Sequence, residues 1–319
     1  MADHLERAER WFAMAHDFVR FDCLAYVGSH SHGTYVPPTD PDAIDDVDMM
    51  GVTLPPPRFV VGVDTFEHWV CQREELDIVV YSLHKFVGLL LKGNPNVLGL
   101  LWLREEDYLL RSPLFDALIA NRHLFAAKSV YASFAGYASG QLQRMTSYSP
   151  EIQAEIDALE ATLTAAGWYV NEIMDGRPLP MPKGLTPDDA NAKAVRLRHL
   201  RAKYHMAYMG EKRRGLVVRH GYDTKNAAHL IRLLLMAEEF LATGDLHVYR
   251  TNDADLLRAI KRGEWTLDAV KQEAEALFAR VKAARDASPL PDQPARREVS
   301  ELLARLTLDV YRPSPKRTP

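Results

Sequence analysis

Beyond Pro113 the chain carries one helical pattern after another and no convincing alternation of apolar and polar residues, while the β-type runs all lie before it. That division sets the expected architecture: an N-terminal α/β part followed by an all-helical part, an α+β chain overall. At 319 residues the chain is longer than the roughly 250–300 at which single cores stop growing. Two domains are therefore expected, 1–112 and 113–319, with the change of pattern falling near 111–127.

The N-terminal runs are short. In "HLERAERWFAMAHDFVRFD", Leu5, Ala8, Phe12, Ala15 and Phe18 recur near helical spacing. "CLAYVG" reads as a buried strand ending at Gly28, "DVDMMGVTL" as a second strand, and "WVCQREELDIVVYSL" as a third, with β-branched residues after Asp77. Ser82 is placed to cap a helix that stops at Gly93, and a new helix restarts after Pro95. In "YASFAGYASGQL" the small residues Ala132, Gly136 and Gly140 repeat every four positions, the spacing of a close helix–helix approach. Residues 176–190 are Pro-rich and read as a loop, with Thr186 or Asp188 near the next helix start. The segment from Asp286 carries a further loop and a last helix.

Composition bounds the partners. The chain is 47% hydrophobic and 26% charged, and no apolar run approaches the roughly 20 residues of a membrane helix. "MADHLERAER" lacks a basic segment followed by an apolar one, so the cytoplasm is the expected compartment. Cys23 and Cys71 fit no zinc or redox pattern and are expected as buried, reduced thiols. A net charge of −4 argues against a protein that coats nucleic acid nonspecifically. From Asn191 to Arg232, however, eleven Lys or Arg face two acids, with His199, His205, His220 and His229 added. The compensating acids are expected in the other half of the chain. Arg198, Arg201, His205, Lys212, Arg213 and Arg214 read as solvated surface.

The stretch "YVGSHSHGTYVPPTDPDAIDDVDMMGV" holds the chemistry. His30 and His32 suggest a metal site, but no third His or Cys follows at ligand spacing, and two exposed loop histidines is the better reading. Asp46 and Asp48 are different. Residues two apart on a strand project from one face about 7 Å apart along the chain. Asp77 opens the next strand as a third carboxylate, with Glu75 as rival. Converging carboxylates need a divalent ion, and oxygen-only ligands select Mg²⁺ or Mn²⁺. The Gly28-Ser29 turn adds backbone N–H groups and a hydroxyl suited to phosphate oxygens. Downstream, "DTKNAAHLIRLLLMAEEFLATG" is apolar on nearly every side, so it is expected to be buried between a cap at Asp223 or Thr224 and Gly244. Lys225, His229 and Arg232 stand on one face of it, either paired with internal acids or turned toward phosphates across from the carboxylates.

Together, "GSHSHGTY…DDVDMMGV" and "LDIVVYSLHKFVGLLLKGNPNVLGLLWL" resemble the DNA polymerase β superfamily of nucleotidyltransferases, and within it the RNA-ligase-associated branch of RNA repair. The resemblance covers most of the chain, including "YASGQLQRM" and "GYDTKNAAHLIRLLLMAEEFLATGDL". It implies that 1–112 is a polymerase β-like catalytic domain, that Gly28 and Ser29 bind nucleotide, that Asp46 and Asp48 bind both metals, and that Asp77 is the third carboxylate. The implied reaction moves an NMP from an NTP to a hydroxyl acceptor with release of pyrophosphate, the acceptor being an RNA end; a small molecule or a protein side chain falls in the same reaction class. The alternative is a catalytically inactive nucleotide- or RNA-binding module, against which the retained Gly-Ser and carboxylates speak. A purely structural helical adaptor would leave the acidic cluster unexplained. The segment between Gly33 and Asp46 is longer and richer in Pro and Asp than the family pattern implies.

Overall fold

A computed structural model describes residues 2–36, 47–146, 150–203 and 211–312. Its elements run α1 (Ala2–Ala15), β1 (Cys23–Tyr26), α2 (Gly28–Ser31), β2 (Val47–Thr53), β3 (His68–Arg73), β4 (Leu76–Ser82), α3 (Leu83–Leu91), α4 (Pro95–Leu98), β5 (Tyr108–Arg111) and α5 (Pro113–Ala120). Only helices follow among the described residues: α6 (Val130–Thr146), α7 (Pro150–Ala165), α8 (Val170–Asp175), α9 (Pro187–Lys203), α10 (Glu211–His220), α11 (Thr224–Thr243), α12 (Ala254–Lys261), α13 (Leu267–Ala287) and α14 (Arg296–Tyr311). The chain is α+β, as its pattern implies. No described helix is long and apolar enough to cross a membrane. Two compact units form, one from residues 1–138, 231–258 and 272–319, the other from 139–230 and 259–271.

In the first unit five strands make one mixed sheet in the order β3-β4-β2-β1-β5, with β2 and β4 parallel and the other pairs antiparallel. Alternate residues point one way: Leu24, Tyr26, Met49, Leu76, Ile78 and Val80 join Ala8, Trp11 and Phe12 of α1 in a single core. Phe12 is fully buried and meets Phe18, Phe21, Phe66 and Trp69 edge-on, at centroid distances of 5.1–6.1 Å. Helix α3 packs along β2 and β4. Its ends are set by local chemistry: Ser82 Oγ accepts from Lys85 N, and Gly93, at φ +62°, closes the last turn through its N–H to Leu90 O. Asn94 then caps α4 ahead of Pro95. Both cysteines are buried, and burial raises their thiol pKa values.

Three expectations about elements are corrected. The run "WVCQREELDIVVYSL" is a hairpin, β3 and β4, not one strand: Arg73 pairs with Leu76 across a two-residue turn in which Glu74 takes φ +55°. Such turns usually advertise themselves with Asn-Gly or Asp-Gly. Here Arg7 of α1 holds both turn carboxylates, Glu74 and Glu75, so a distant helix stabilises what the local sequence does not. Strand β5, too short to show alternation, pairs with β1 through a register shift. The small residues of α6 do not mark close helix contact among the described residues, where a Cβ added at Gly136 or Gly140 meets nothing within 4 Å.

In the second unit Trp168, Ile173, Ala190, Ala194 and Leu197 gather with Ile156 and Leu163 between α7, α8 and α9. Thr186 Oγ1 accepts from Asp189 N to start α9. Three arginines of the basic run pair locally: Arg196 with Glu155 and Arg201 with Glu160 of α7, while Arg213 pairs with buried Asp223. For these three the partners lie close by in the same unit, not in an acid cluster of the other half. Arg201 and Arg213 are partly buried rather than solvated, because a guanidinium's stem packs while its fork finds a carboxylate. His205 lies outside the described residues.

Candidate active site

The parallel pairing of β2 and β4 sets Asp48 directly beside Asp77, on strands about 4.8 Å apart. Met49 and Ile78, next to each along the chain, enter the α1 core, so alternation turns both aspartates to the opposite face. Gln72 Nε2 donates to Asp77 Oδ2 at 2.8 Å, and among the described residues no Lys or Arg pairs with Asp77. Two adjacent oxygen-only side chains fit a hard divalent cation by donor chemistry. Asp46 lies outside the described residues, as does most of the Pro- and Asp-rich segment before it. Among the described residues no group of three His, Cys, Asp or Glu could hold a metal.

Glu75, the rival third carboxylate, is engaged elsewhere. It precedes β4 in the hairpin turn, where Arg7 Nη1 donates to it at 2.7 Å, and that hydrogen bond holds its pKa below the usual carboxylate value.

Gly28 brings the turn against this face. At φ +63° it occupies the left-handed region, and a Cβ there would fall 2.1 Å from Asp48 Oδ2. Only glycine allows the start of α2 so close to the carboxylate. Val27 N–H bonds Asp48 O at 2.9 Å, locking the two together. Ser29 follows, buried, and its Oγ has no hydrogen-bond partner among the described residues. A buried hydroxyl without a partner is costly.

Arg232 belongs to the first unit and lies within electrostatic reach of Asp48. Nη1 donates to Met236 Sδ at 3.2 Å, and among the described residues no carboxylate lies within ion-pair distance. Packed closely by protein, it has its pKa pushed down to about 9, first by burial and then by Arg250, with Asp48 pulling the other way. A guanidinium resists deprotonation, so the charge stays in place at that cost. α11 is otherwise buried along most of its surface, as expected, with Lys225, His229 and Arg232 all half-buried along one stripe. Lys225 and His229 sit on the part that belongs to the second unit.

His30 and His32 are not exposed loop residues. Both fall at α2, where positions two apart diverge around the helix. His30 stacks on Tyr35 with centroids 3.9 Å apart, and buried His32 places Nδ1 3.0 Å from Val248 O. This exposes what the sequence reading missed: residues 247–258 pack on the turn. Arg250 N–H bonds His32 O, Arg258 bonds Gly33 O, and the Tyr249 ring lies where a Gly33 side chain would be. An arginine in the apolar run "LHVYR" was the only signal, and a weak one.

An α+β unit whose sheet presents neighbouring carboxylates beside a tight Gly-Ser turn is the class of structure these residues build. The sequence profile of the RNA repair pathway DNA polymerase beta family, RlaP, matches residues 8–182, and the chain belongs to that family. Membership places it among polymerase beta-like proteins of RNA repair. It is also similar to an uncharacterized 38.9 kDa protein from the nrdC-mobD intergenic region of Enterobacteria phage T4, 25% identical over 304 residues covering 82% of this chain and 88% of the phage protein. No solved structure gives a significant match.

Proposed function

We propose that this protein transfers a nucleoside monophosphate from an NTP to a hydroxyl on an RNA end, releasing pyrophosphate. The observation that carries the reading is the in-register pair Asp48–Asp77 with Gly28 pressed against the Asp48 carboxylate. Asp48 and Asp77, with Asp46 from the sequence, would hold Mg²⁺ or Mn²⁺, which when bound neutralises charge on the phosphates and lowers the pKa of the attacking hydroxyl. Ser29 Oγ, lacking a partner, would donate to a phosphate oxygen, as would the α2 backbone amides. Arg232 would supply the fixed positive charge its surroundings leave uncompensated. Asp77 would accept the proton of the attacking hydroxyl. Positioning and charge compensation then account for most of the rate.

The test incubates the protein with each α-labelled NTP, Mg²⁺ or Mn²⁺, and RNA bearing a free 3′-OH. Label should pass to the RNA with one or more NTPs and be lost on Asp48→Asn. Transfer unchanged in Asp48→Asn/Asp77→Asn removes both carboxylates from catalysis.

A further inference from the structure

Arg250 is among the most buried charged residues of the first unit, 4% exposed, and it is bound on every side. Nη1 and Nη2 reach Glu239 of α11 at 2.7 and 2.6 Å. Nε and Nη2 reach Asp253 at 2.9 and 2.6 Å, and Nη1 also donates to His247 O at 2.9 Å. Two bidentate carboxylates on one guanidinium is a geometry that Lys cannot reproduce.

The backbone around Arg250 meets the Gly-Ser turn. Its N–H donates to His32 O at 3.1 Å, while His32 Nδ1 faces Val248 O, so that ring nitrogen carries the proton and donates back. The two bonds form a clasp between residues more than 200 apart in sequence. On the turn side, Thr34 N–H bonds Ser29 O and His32 N–H bonds Gly28 O, so a shift at His32 is felt at Ser29 within one turn of chain. On the helix side, Glu239 lies seven residues after Arg232 on α11, two helical turns along. A single residue therefore joins the helix that carries Arg232, through its side chain, to the turn that carries Ser29, through its backbone N–H.

We infer that Arg250 is a positioning residue: its double carboxylate bridge fixes the Gly28–Gly33 turn and Arg232 relative to each other, so that both address the same triphosphate. This rests on the nucleotide reading above for its ligand, but the clasp itself does not.

The experiment uses the full chain with Arg250→Lys, Ser29→Ala and the double variant. Hydrogen exchange is followed at the amides of His32, Gly33 and Thr34, and binding of Mg²⁺ with each NTP is followed by calorimetry well below the melting temperature. Arg250→Lys should speed exchange at these three amides while leaving β2 and β4 protected. It should weaken triphosphate binding roughly ten- to hundredfold, the scale on which small misplacements act. In the Ser29→Ala background the further loss should be much smaller, since the two residues act through one turn. Unchanged exchange at the turn, exchange raised throughout the first unit, or fully additive losses would each overturn the inference. If the wild type binds no NTP, the proposed function falls, and the exchange arm still decides whether Arg250 holds the turn. Should Arg250→Lys not fold, Asp253→Asn removes one carboxylate while leaving the Glu239 bridge, and the same readings apply.

Discussion

A methyl group added at Gly28 would share space with a carboxylate oxygen, while one added at Gly136 would meet nothing within 4 Å. The two substitutions should act in opposite directions. Gly28→Ala combines a left-handed backbone with overpacking and should cost about 1–3 kcal/mol, read as a lower urea midpoint, with triphosphate binding weakened as Asp48 moves. Gly136→Ala fills an exposed position inside α6 and should stabilise by roughly 0.5–1 kcal/mol. At Arg232 the competing roles separate by measurement. If the guanidinium holds a phosphate, Arg232→Lys should lower triphosphate affinity about tenfold, or about 1.4 kcal/mol, at an unchanged melting temperature. A lower melting temperature with affinity preserved would make it a structural cation.

Helix α1 illustrates what an element contributes and how much of it is legible. Phe12→Ala should cost about 3–5 kcal/mol, because the ring is fully buried among four aromatic neighbours. His16, beside Phe12 at 4.6 Å and Phe66 at 5.1 Å, has its pKa lowered, chiefly by burial. The folded chain then binds this proton less readily than the unfolded chain. Stability from this site is full above the unfolded value of about 6.5 and declines as pH falls below it. Urea midpoints at pH 7, 6 and 5 should fall, and His16→Phe should flatten that slope. The helix pattern and the cap at Ser82 were readable because their determinants lie within a few residues. The β3–β4 turn was not, since Arg7 supplies what Glu74 lacks from across the sheet. Asp48 and Asp77 were legible as residues of neighbouring strands, but their direct pairing required the parallel register of β2 and β4. Arg250 left only the weak signal of an arginine ending an apolar run, because its meaning depends on His32.

Taken whole, the chain hides its charge. The second unit carries sixteen Lys and Arg against twelve Asp and Glu, while the first carries twenty-three against thirty-one. If RNA is the acceptor, its affinity should fall with salt by a log–log slope of about −0.7 per phosphate neutralised. Arg198→Glu, at an exposed position of α9, should weaken RNA binding without changing triphosphate affinity, as titrations at two salt concentrations would show. The first unit is also assembled from three separate stretches, and the Tyr311 hydroxyl closes one of them onto Pro55 O across 256 residues. For a nascent chain that distance is time. At roughly 5–20 residues per second, the ribosome releases α14 on the order of tens of seconds after β2. Until then, the faces of α3 and of residues 122–125 against which α14 packs, with Val299 and Leu302 buried, lack their cover.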